Sequence, residues 1–286
     1  MPSWMYGAGV AVLTNKEFAL KSELVKMEIK GAVAHVRLNR PEKHNGMDFA
    51  MLDAVVATAE SLRKDRELRA VIISGEGPSF CAGLDVKAVM GQPRKAMAGY
   101  AQLWLPYANK FQRWSLAWRE LGLPVIAAIH GNCFGAGIQL ALGADIRVST
   151  PDAKISIMES KWGLIPDMGG AVLLRELVPI DVAKELTFSG RIISGTDAHR
   201  LGLVTHIADD PLAKAEELAA EFAVRSPDAV AAGKFLLQEA WDEDQSGASA
   251  AERRWQRAVI GRANQRISIE RNTKKSEKPY QRRTIA

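Results

Sequence analysis

Apolar residues recur along this chain in two patterns that together predict an α/β fold. Alternating apolar and polar residues at 24–29 and 32–38, with a glycine between them, predict a β-hairpin. Unbroken apolar runs at 70–74 and 125–129 are typical of fully buried strands. Apolar residues at helical spacing between 48 and 64 predict an amphipathic helix. Strands that alternate with helices are the order expected of an α/β architecture.

A strand, a glycine-rich loop and a helix follow one another at 70–90, again at 124–143 and more weakly at 153–177. No strict sequence repeat accompanies this order, but its recurrence predicts successive ββα turns of a spiral. Beyond Asp209 the apolar periodicity is helical. The predicted organisation is a poorly ordered lead-in segment at 1–22, a ββα spiral core at 23–205, and a helical C-terminal part at 206–286 that serves in oligomerisation and ends in a basic tail.

The segment from Pro124 to Gly170 carries the residues best suited to chemistry. Gly135 and Gly137 let the backbone turn sharply after a buried strand and approach a ligand closely. A short helix is predicted to begin at Ala136, so its first N–H groups have no partner within the helix. Such a helix start favours the binding of an anion or of a developing oxyanion.

Glu159 is a carboxylate in an apolar setting. Strand-like alternation places it on the same face as Ala153, Ile155 and Ile157. Burying a charge there is costly unless it is paired or used, and burial raises the pKa of a carboxyl group toward the range that a general base needs. The sequence therefore predicts a general base at Glu159, although a solvent-facing strand end or a pair with Lys161 also fits the pattern.

Asp167 lies eight residues further along, just before a pair of glycines. One interpretation makes it a second proton-transfer group. The other makes it the N-cap of a helix at 171–177, a position where aspartate is common. The residue pattern leaves both interpretations open.

Three segments carry a resemblance to a known family. They are Leu38-Asn39-Arg40-Pro41 with Asn45, then Ser79-Phe80-Cys81-Ala82-Gly83-Leu84-Asp85, and the segment 124–170. Together they resemble the enoyl-CoA hydratase/isomerase family of the crotonase superfamily. The resemblance covers roughly residues 25–270 and implies a crotonase-like spiral, an acyl-CoA thioester substrate, and assembly as a homotrimer or a dimer of trimers.

The resemblance also implies roles for individual residues. The backbone N–H groups of Leu84 and Ala136 would form the oxyanion hole, and Glu159 and Asp167 would transfer protons. The substrate and CoA contacts would come from Lys43, Ala82, Gly83, Leu84, Asp85, Val86, Lys87, Gly135 and Gln139.

Gln139 departs from the family pattern. Hydratases of the family carry two glutamates, and the first of these falls at residue 139. Glutamine does not accept a proton at neutral pH, though it can hold water or substrate by hydrogen bonds. The Glu159/Asp167 spacing is similar to that of dienoyl-CoA isomerases, which nevertheless place an aspartate at position 139. An isomerase that uses Glu159 and Asp167, and a hydratase that uses Glu159 alone, are both open.

Composition and charge limit the remaining functions. Cys81 and Cys133 are interpreted as small buried thiols, and no Cys/His spacing suggests a metal site. No metal or redox cofactor is expected, because CoA arrives with the substrate. No apolar run approaches the ~20 residues of a membrane span, and no signal peptide is recognised, so a cytoplasmic enzyme is expected.

The C-terminal tail is strongly basic. Residues 253–283 hold eleven Lys or Arg against two acidic residues. Such a tail can be a solvated helix face, a subunit contact, a clamp on ligand phosphates or a nucleic-acid surface. Nucleic-acid binding is disfavoured because no aromatic-interleaved module accompanies the charge. A catalytically dead CoA-binding protein is a further alternative. The resemblance also extends to peptidases that share the fold, but these need a serine at the glycine-rich helix start, and residues 131–135 contain none.

Overall fold

The computed structural model describes residues 22–285, so most of the predicted lead-in lies outside the described residues. Nine strands are present in this range: β1 Val25–Lys30, β2 Val33–Leu38, β3 Ala70–Gly75, β4 Val125–Ile129, β5 Asn132–Phe134, β6 Ile146–Ser149, β7 Lys154–Ser156, β8 Ile193–Ser194 and β9 His206–Ile207. The same range contains twelve α-helices: α1 Phe49–Lys64, α2 Val86–Met90, α3 Pro93–Ala101, α4 Lys110–Leu116, α5 Ala136–Leu142, α6 Gly170–Leu174, α7 Ile180–Ser189, α8 Gly195–Arg200, α9 Pro211–Ala223, α10 Pro227–Ala240, α11 Gln245–Val259 and α12 Ala263–Lys274.

A six-stranded sheet forms the first layer, in the order β1-β2-β3-β4-β6-β9. The predicted hairpin is confirmed, since β1 and β2 pair antiparallel, whereas the other neighbours are parallel. The register pairs Val71 with Val125 and Ile126 with Ile146. Parallel strands need helical crossovers, and the helices between them provide these.

Both faces of the central strands are covered, which explains their unbroken apolar runs. On one face Ile72 and Ile126 pack in a cluster with Leu218 of α9. On the other face Val71 and Val125 join the main core together with residues of α1, such as Val55. Asp48 caps α1 by accepting a hydrogen bond from the Met51 N–H at 2.8 Å.

A second sheet, in the order β5-β7-β8, positions the candidate site. β5 pairs parallel with β7, and the N–H of Gly135, just after β5, donates to the Ser156 carbonyl at 3.0 Å. These contacts bring the residues that follow β7 next to the start of α5. The chain segment around Glu159 therefore meets the glycine-rich turn.

Two details of this region differ from the sequence prediction. β7 ends at Ser156, and Glu159 begins a 3-10 turn, Glu159–Trp162, instead of lying on a strand face. The helix expected at 171–177 is α6, Gly170–Leu174. Strand alternation could not reveal the turn, because the alternating pattern of residues 153–159 continues beyond Ser156, the last residue of β7.

The aromatic residues between α2 and β4 fall into buried and exposed groups. Trp114 and Trp118 are fully buried in the core. Trp104 and Tyr107 are exposed. Phe111 is half-buried and faces the cavity described below. The two buried tryptophans therefore serve the packing of the core.

The C-terminal part is helical after β9, as predicted. α9 covers the six-stranded sheet, and α10 packs against α11 and α12. The chain then returns to the core, where the N–H groups of Thr284 and Ile285 donate to Asp228 on α10 at 2.6 and 3.1 Å.

Candidate active site

A cavity of about 310 Å³ lies where the glycine-rich turn before α5 meets the segment after β7. Its size falls at the lower end of the range for small-molecule sites, ~300–1,000 Å³. It contains most of the residues singled out from the sequence. The lining is Met47, Phe49, Ala82, Gly83, Leu84, Val86, Val89, Ala96, Phe111, Gly135, Ala136, Gln139, Met158, Glu159, Trp162, Leu164, Asp167 and Met168.

Two backbone N–H groups, those of Leu84 and Ala136, belong to this lining. Within residues 22–285 neither donates to a protein acceptor, and Ala136 is the first residue of α5. The Ala136 nitrogen lies 3.8 Å from the position that a Cβ on Gly83 would occupy, so the two segments are close neighbours. Together they offer two fixed donors on one side of the cavity.

Glycines allow the segments that carry these donors to approach so closely. Gly135 has φ +50°, a conformation that other residues rarely adopt. A Cβ on Gly137 would lie 2.2 Å from the Cys81 carbonyl oxygen. Trp114 holds the start of α5 in position, because its Nε1–H donates to the Ala136 carbonyl at 2.8 Å.

Glu159 faces the cavity from the 3-10 turn and is only 8% exposed. Its Oε1 accepts a hydrogen bond from Gln139 Nε2 at 2.6 Å. Its Oε2 is buried and has no partner among the described residues. Burial raises the pKa of Glu159, the Asp167 charge raises it further, and the bond from Gln139 opposes the rise. The alternative pair with Lys161 is wrong, since Gln139 is the partner.

Gln139 is held by both ends of its amide. Its Oε1 accepts from the N–H groups of Met168 and Gly170 at 2.8 and 3.0 Å, and its Nε2 donates to Glu159. The two backbone donors assign the amide orientation, because the nitrogen end cannot accept them. Gly170 permits this contact, since a Cβ there would lie 2.7 Å from Oε1.

Asp167 lines the same cavity from the turn before α6, with an exposed side chain. Although the residue is exposed overall, the cavity walls displace water from its carboxyl group, and this desolvation raises the pKa of Asp167. The N-cap interpretation is wrong, because α6 begins after Gly169 and no side chain caps it. Glu159 and Asp167 are thus two carboxyl groups of raised pKa in one cavity.

The fold and this cavity have counterparts among known proteins. The sequence profile of the enoyl-CoA hydratase/isomerase family matches residues 28–283. The chain belongs to the enoyl-CoA hydratase/isomerase family. The predicted crotonase-like fold is confirmed by solved structures of enoyl-CoA hydratases. That from Bacillus anthracis has a TM-score of 0.82 at 27% identity and covers 90% of this chain and 99% of its own. That from Polaromonas sp. JS666 has a TM-score of 0.81 at 30% identity, with the same coverage.

Curated relatives in the family include both hydratases and isomerases. Mouse mitochondrial Delta(3,5)-Delta(2,4)-dienoyl-CoA isomerase is 36% identical, over 72% of this chain and 65% of its own. Enoyl-CoA hydratase EchA19 of Mycobacterium tuberculosis is 34% identical, over 72% and 77%. Mouse methylglutaconyl-CoA hydratase is 31% identical, over 80% and 72%. These relatives fit an enzyme of the lyase or isomerase class.

The residues expected from the family resemblance at the CoA site divide into two groups. Ala82, Gly83, Leu84, Val86, Gly135 and Gln139 line the cavity. Lys43, Asp85 and Lys87 do not. Asp85 caps α2 through the Ala88 N–H at 3.1 Å and pairs with Arg40 at 2.9 Å, and these contacts lower its pKa. Lys43 and Lys87 are exposed on the surface.

Sequence reasoning missed most of the apolar wall. Met47 lies just before α1, Phe49 is the first residue of α1, Ala96 comes from α3, and Met158 and Met168 flank the carboxylates. No local pattern identified them, because a cavity-lining apolar residue and a core residue have the same periodicity.

Two negative findings apply to the part of the chain that the structure describes. Residues 22–285 hold no group of three or more His, Cys, Asp or Glu residues arranged to bind a metal ion. No helix in that range is long and apolar enough to cross a membrane. Cys81 and Cys133 are buried free thiols, and their backbones form an isolated parallel β-bridge between neighbouring segments.

Proposed function

We propose that this protein shifts the double bond of an enoyl-CoA thioester, with Glu159 and Asp167 as the proton-transfer groups. The thioester oxygen accepts hydrogen bonds from the N–H groups of Leu84 and Ala136. Glu159 takes a proton from carbon, the C–H electrons enter the conjugated system, and an enolate forms. Either Glu159 returns this proton to a different carbon, or Asp167, protonated at the start, donates one there. In the second case the proton left on Glu159 passes through solvent to Asp167 before the next turnover. No atom is gained or lost overall.

The magnitudes suit a reaction of this kind. One fixed oxyanion donor typically contributes ~3 kcal/mol to transition-state stabilisation. A positioned general base contributes ~10²–10⁴-fold in rate. A base near neutral pKa works best at physiological pH, and burial moves Glu159 in that direction.

The observation that carries the proposal is the hydrogen bonding of Gln139. Its carbonyl oxygen is occupied by two backbone N–H groups and its nitrogen donates to Glu159 Oε1. This leaves Gln139 no free acceptor to take a proton from an attacking water. It leaves Glu159, a residue of the cavity lining, with a buried and unpaired Oε2. Proton transfer between Glu159 and a substrate carbon requires a free carboxylate oxygen. It does not require a positioned water molecule.

Hydration of a 2-enoyl-CoA is the second candidate. Gln139 Nε2 carries two hydrogens, and one remains able to donate to a water beside Glu159. The relatives that act as hydratases also favour this alternative. In it Glu159 works alone, and Asp167 has no role in the chemistry.

The two candidates differ in the mass of the product. We would incubate the protein with 2-enoyl-, 3-enoyl- and 3,5-dienoyl-CoA thioesters in D₂O and identify products by mass and ultraviolet spectrum. Isomerisation moves the absorbance and exchanges carbon-bound hydrogen for deuterium. Hydration adds the mass of one D₂O molecule. Absence of turnover with every thioester would leave a CoA-binding protein without catalysis.

Variants assign the roles. Glu159→Gln should lower turnover by ~100-fold or more while thioester binding persists.

Asp167→Asn should lower isomerisation strongly, because an amide cannot carry the transferred proton. Glu221→Gln, an exposed glutamate on α9, is the matched control and should leave turnover unchanged.

Gln139→Glu tests the missing hydratase carboxylate. Its carboxylate would lie beside Glu159, and two adjacent carboxylates raise one pKa. Hydration of a 2-enoyl-CoA should therefore increase, with its optimum at shifted pH. If the wild type hydrates crotonyl-CoA rapidly and Asp167→Asn leaves that rate unchanged, the hydratase alternative is correct.

A homotrimer or a dimer of trimers is the expected assembly, with the helices after residue 206 forming subunit contacts. Exposed apolar side chains on these helices, such as Leu237 and Ile269, support burial of further surface between subunits. Light scattering at micromolar concentration measures the assembly directly. A stable monomer would contradict it.

A further inference from the structure

The cavity wall beyond the reacting groups is apolar. Among the described residues that line it, Glu159 and Asp167 are the only titratable ones. Arg40, a cation close to α2, is already paired with Asp85 at 2.9 Å and with Asp48 at 3.7 Å. A carboxylate at the end of an acyl chain would therefore lose water without gaining a cation. It would also meet two acidic side chains of its own sign.

The space available is limited. The cavity measures about 310 Å³. At ~30 Å³ for each water-sized group, this holds on the order of ten such groups. Leu84 and Ala136 fix one end of a thioester, and Glu159 fixes the carbons next to it. The rest of the acyl chain must lie among the apolar residues of α1, α2, α3 and α4.

Phe111 makes the wall between α3 and α1 rigid. Its ring meets Phe49 edge-on, with the centroids 6.4 Å apart. On the other side it presses on the backbone of α3, where a Cβ on Gly99 would lie 2.8 Å from the ring. Ala96 lies one helical turn before Gly99 on the same face and lines the cavity. Its single methyl group leaves space that a larger side chain would fill.

We infer that the site takes enoyl-CoA thioesters whose acyl group is uncharged and apolar throughout and of medium length, with Ala96 beside Phe111 setting the length limit. This inference rests on the function proposed above. It names the class of acyl group, while the proposed function names the reaction.

Saturated acyl-CoA thioesters test the inference without any turnover. Isothermal titration calorimetry would compare acetyl-, hexanoyl-, decanoyl- and hexadecanoyl-CoA, with adipoyl-CoA as the carboxylated match to hexanoyl-CoA. Affinity should rise by about fourfold per buried methylene and stop rising near ten carbons. Adipoyl-CoA should bind at least about tenfold more weakly than hexanoyl-CoA. Equal affinity of these two ligands, or affinity independent of chain length, overturns the inference.

Two substitutions on α3 test the length limit. Ala96→Phe should move the plateau to chains at least two carbons shorter. Ala98→Phe adds the same ring on the exposed side of the helix, outside the cavity lining, and should leave the plateau unchanged. If circular dichroism shows that Ala96→Phe is unfolded, Ala96→Leu replaces it. An unchanged plateau in a folded Ala96 variant overturns the role of this residue.

The failure of this inference is distinct from failure of the proposed function. The binding series can follow the expected pattern while no enoyl-CoA is converted, which would reject the reaction alone. Conversely, double-bond migration with equal binding of adipoyl- and hexanoyl-CoA would reject the acyl class alone.

Discussion

At the scale of single residues, the site holds Glu159 in a conformation that leaves one oxygen unpaired. Gln139 takes up Oε1, and Oε2 remains buried without a partner in the described chain. An unpaired buried carboxylate is unfavourable for folding. Such a cost is typical of functional sites, where stability is given up for reactivity.

This cost predicts that Glu159→Gln stabilises the protein at neutral pH. Burial raises the pKa of Glu159, so the folded chain keeps this proton to higher pH than the unfolded chain does. The free energy of unfolding therefore falls as pH rises from the ordinary value of 4.5 through the folded pKa. Removing the charge should raise the melting temperature at pH 7 by roughly 2–4 °C, the shift that ~1 kcal/mol produces.

At pH 4 most of the gain should disappear, because Glu159 is then mainly protonated in both states. Differential scanning calorimetry at the two pH values measures the difference. Glu221→Gln, with its exposed side chain, is the control and should change neither melting temperature. A Glu159→Gln variant that melts lower at pH 7 would show that the carboxylate is a net stabilising group.

The sequence identified Glu159 for a partly wrong reason. Alternation predicted its burial correctly, but the residue lies in a 3-10 turn beyond β7. For Gln139 the sequence indicates only a departure from the family pattern. Its bonds to Met168 and Gly170 join segments 29 and 31 residues away, and local sequence carries no signal for such contacts.

At the scale of elements, α5 depends on its neighbours for position. It has seven residues, too few for an isolated helix to be stable in water. Gly137 lets it touch the Cys81 carbonyl, and Trp114 of α4 binds its first carbonyl. The place of the Ala136 N–H is therefore set by α4 and by the segment around Cys81.

Trp114→Phe should reduce activity more than its effect on stability suggests. The variant loses the bond to the Ala136 carbonyl, worth ~1–2 kcal/mol, and leaves a small void. A small displacement of the proposed oxyanion donor, the Ala136 N–H, is costly, because misplacement by ~1 Å can cost ~100-fold in rate. We expect kcat to fall about tenfold or more, measured with the best thioester of the panel.

Trp118→Phe is the matched control. Trp118 is equally buried, and its Nε1–H donates to the Trp114 carbonyl at 3.1 Å instead of to α5. The two variants should lose similar melting temperature, while kcat falls mainly in Trp114→Phe. Equal losses of kcat would mean that the Trp114 bond does not position the proposed oxyanion donor.

At the scale of the whole molecule, the chain end is part of the folded core. Arg283 is 2% exposed, and its Nη2 donates to the Asp65 carbonyl at 3.0 Å. Arg66 and Arg69 donate to the carbonyls of Ile285 and Gln281 at 2.8 and 3.2 Å. Part of the predicted basic tail thus serves internal packing.

Long-range contacts of this kind mark the limit of what the sequence could predict. The hairpin, the buried strands and α1 followed from periodicities of two and 3.6 residues. The docking of residues 281–285 joins positions more than 200 residues apart, as in the bond from Arg283 to Asp65. A count of charges in the tail cannot distinguish a buried arginine from a solvated one.

Asp228 is the acceptor that holds the chain end. One oxygen accepts from the Thr284 N–H and hydroxyl and from the Ile285 N–H, and the other accepts from Asn264 at 2.8 Å. Burial alone would raise the pKa of Asp228, but these hydrogen bonds outweigh it and lower the pKa. Its contribution to stability is therefore complete above the ordinary value of 3.8 and is lost as pH falls through the lower folded pKa.

Asp228→Ala should release the chain end at neutral pH. The variant loses charge-assisted hydrogen bonds worth ~1.5–3 kcal/mol each, and we expect a net loss of about 3 kcal/mol in the free energy of unfolding. Hydrogen exchange of the peptide 275–285 should accelerate at least about tenfold, since the Thr284 and Ile285 amides lose their acceptor. Asp181→Asn, in the first turn of α7, also removes an acidic charge near a helix N-terminus and should leave this peptide unchanged. If exchange of the peptide in Asp228→Ala equals that of the wild type, the arginine contacts alone hold the chain end.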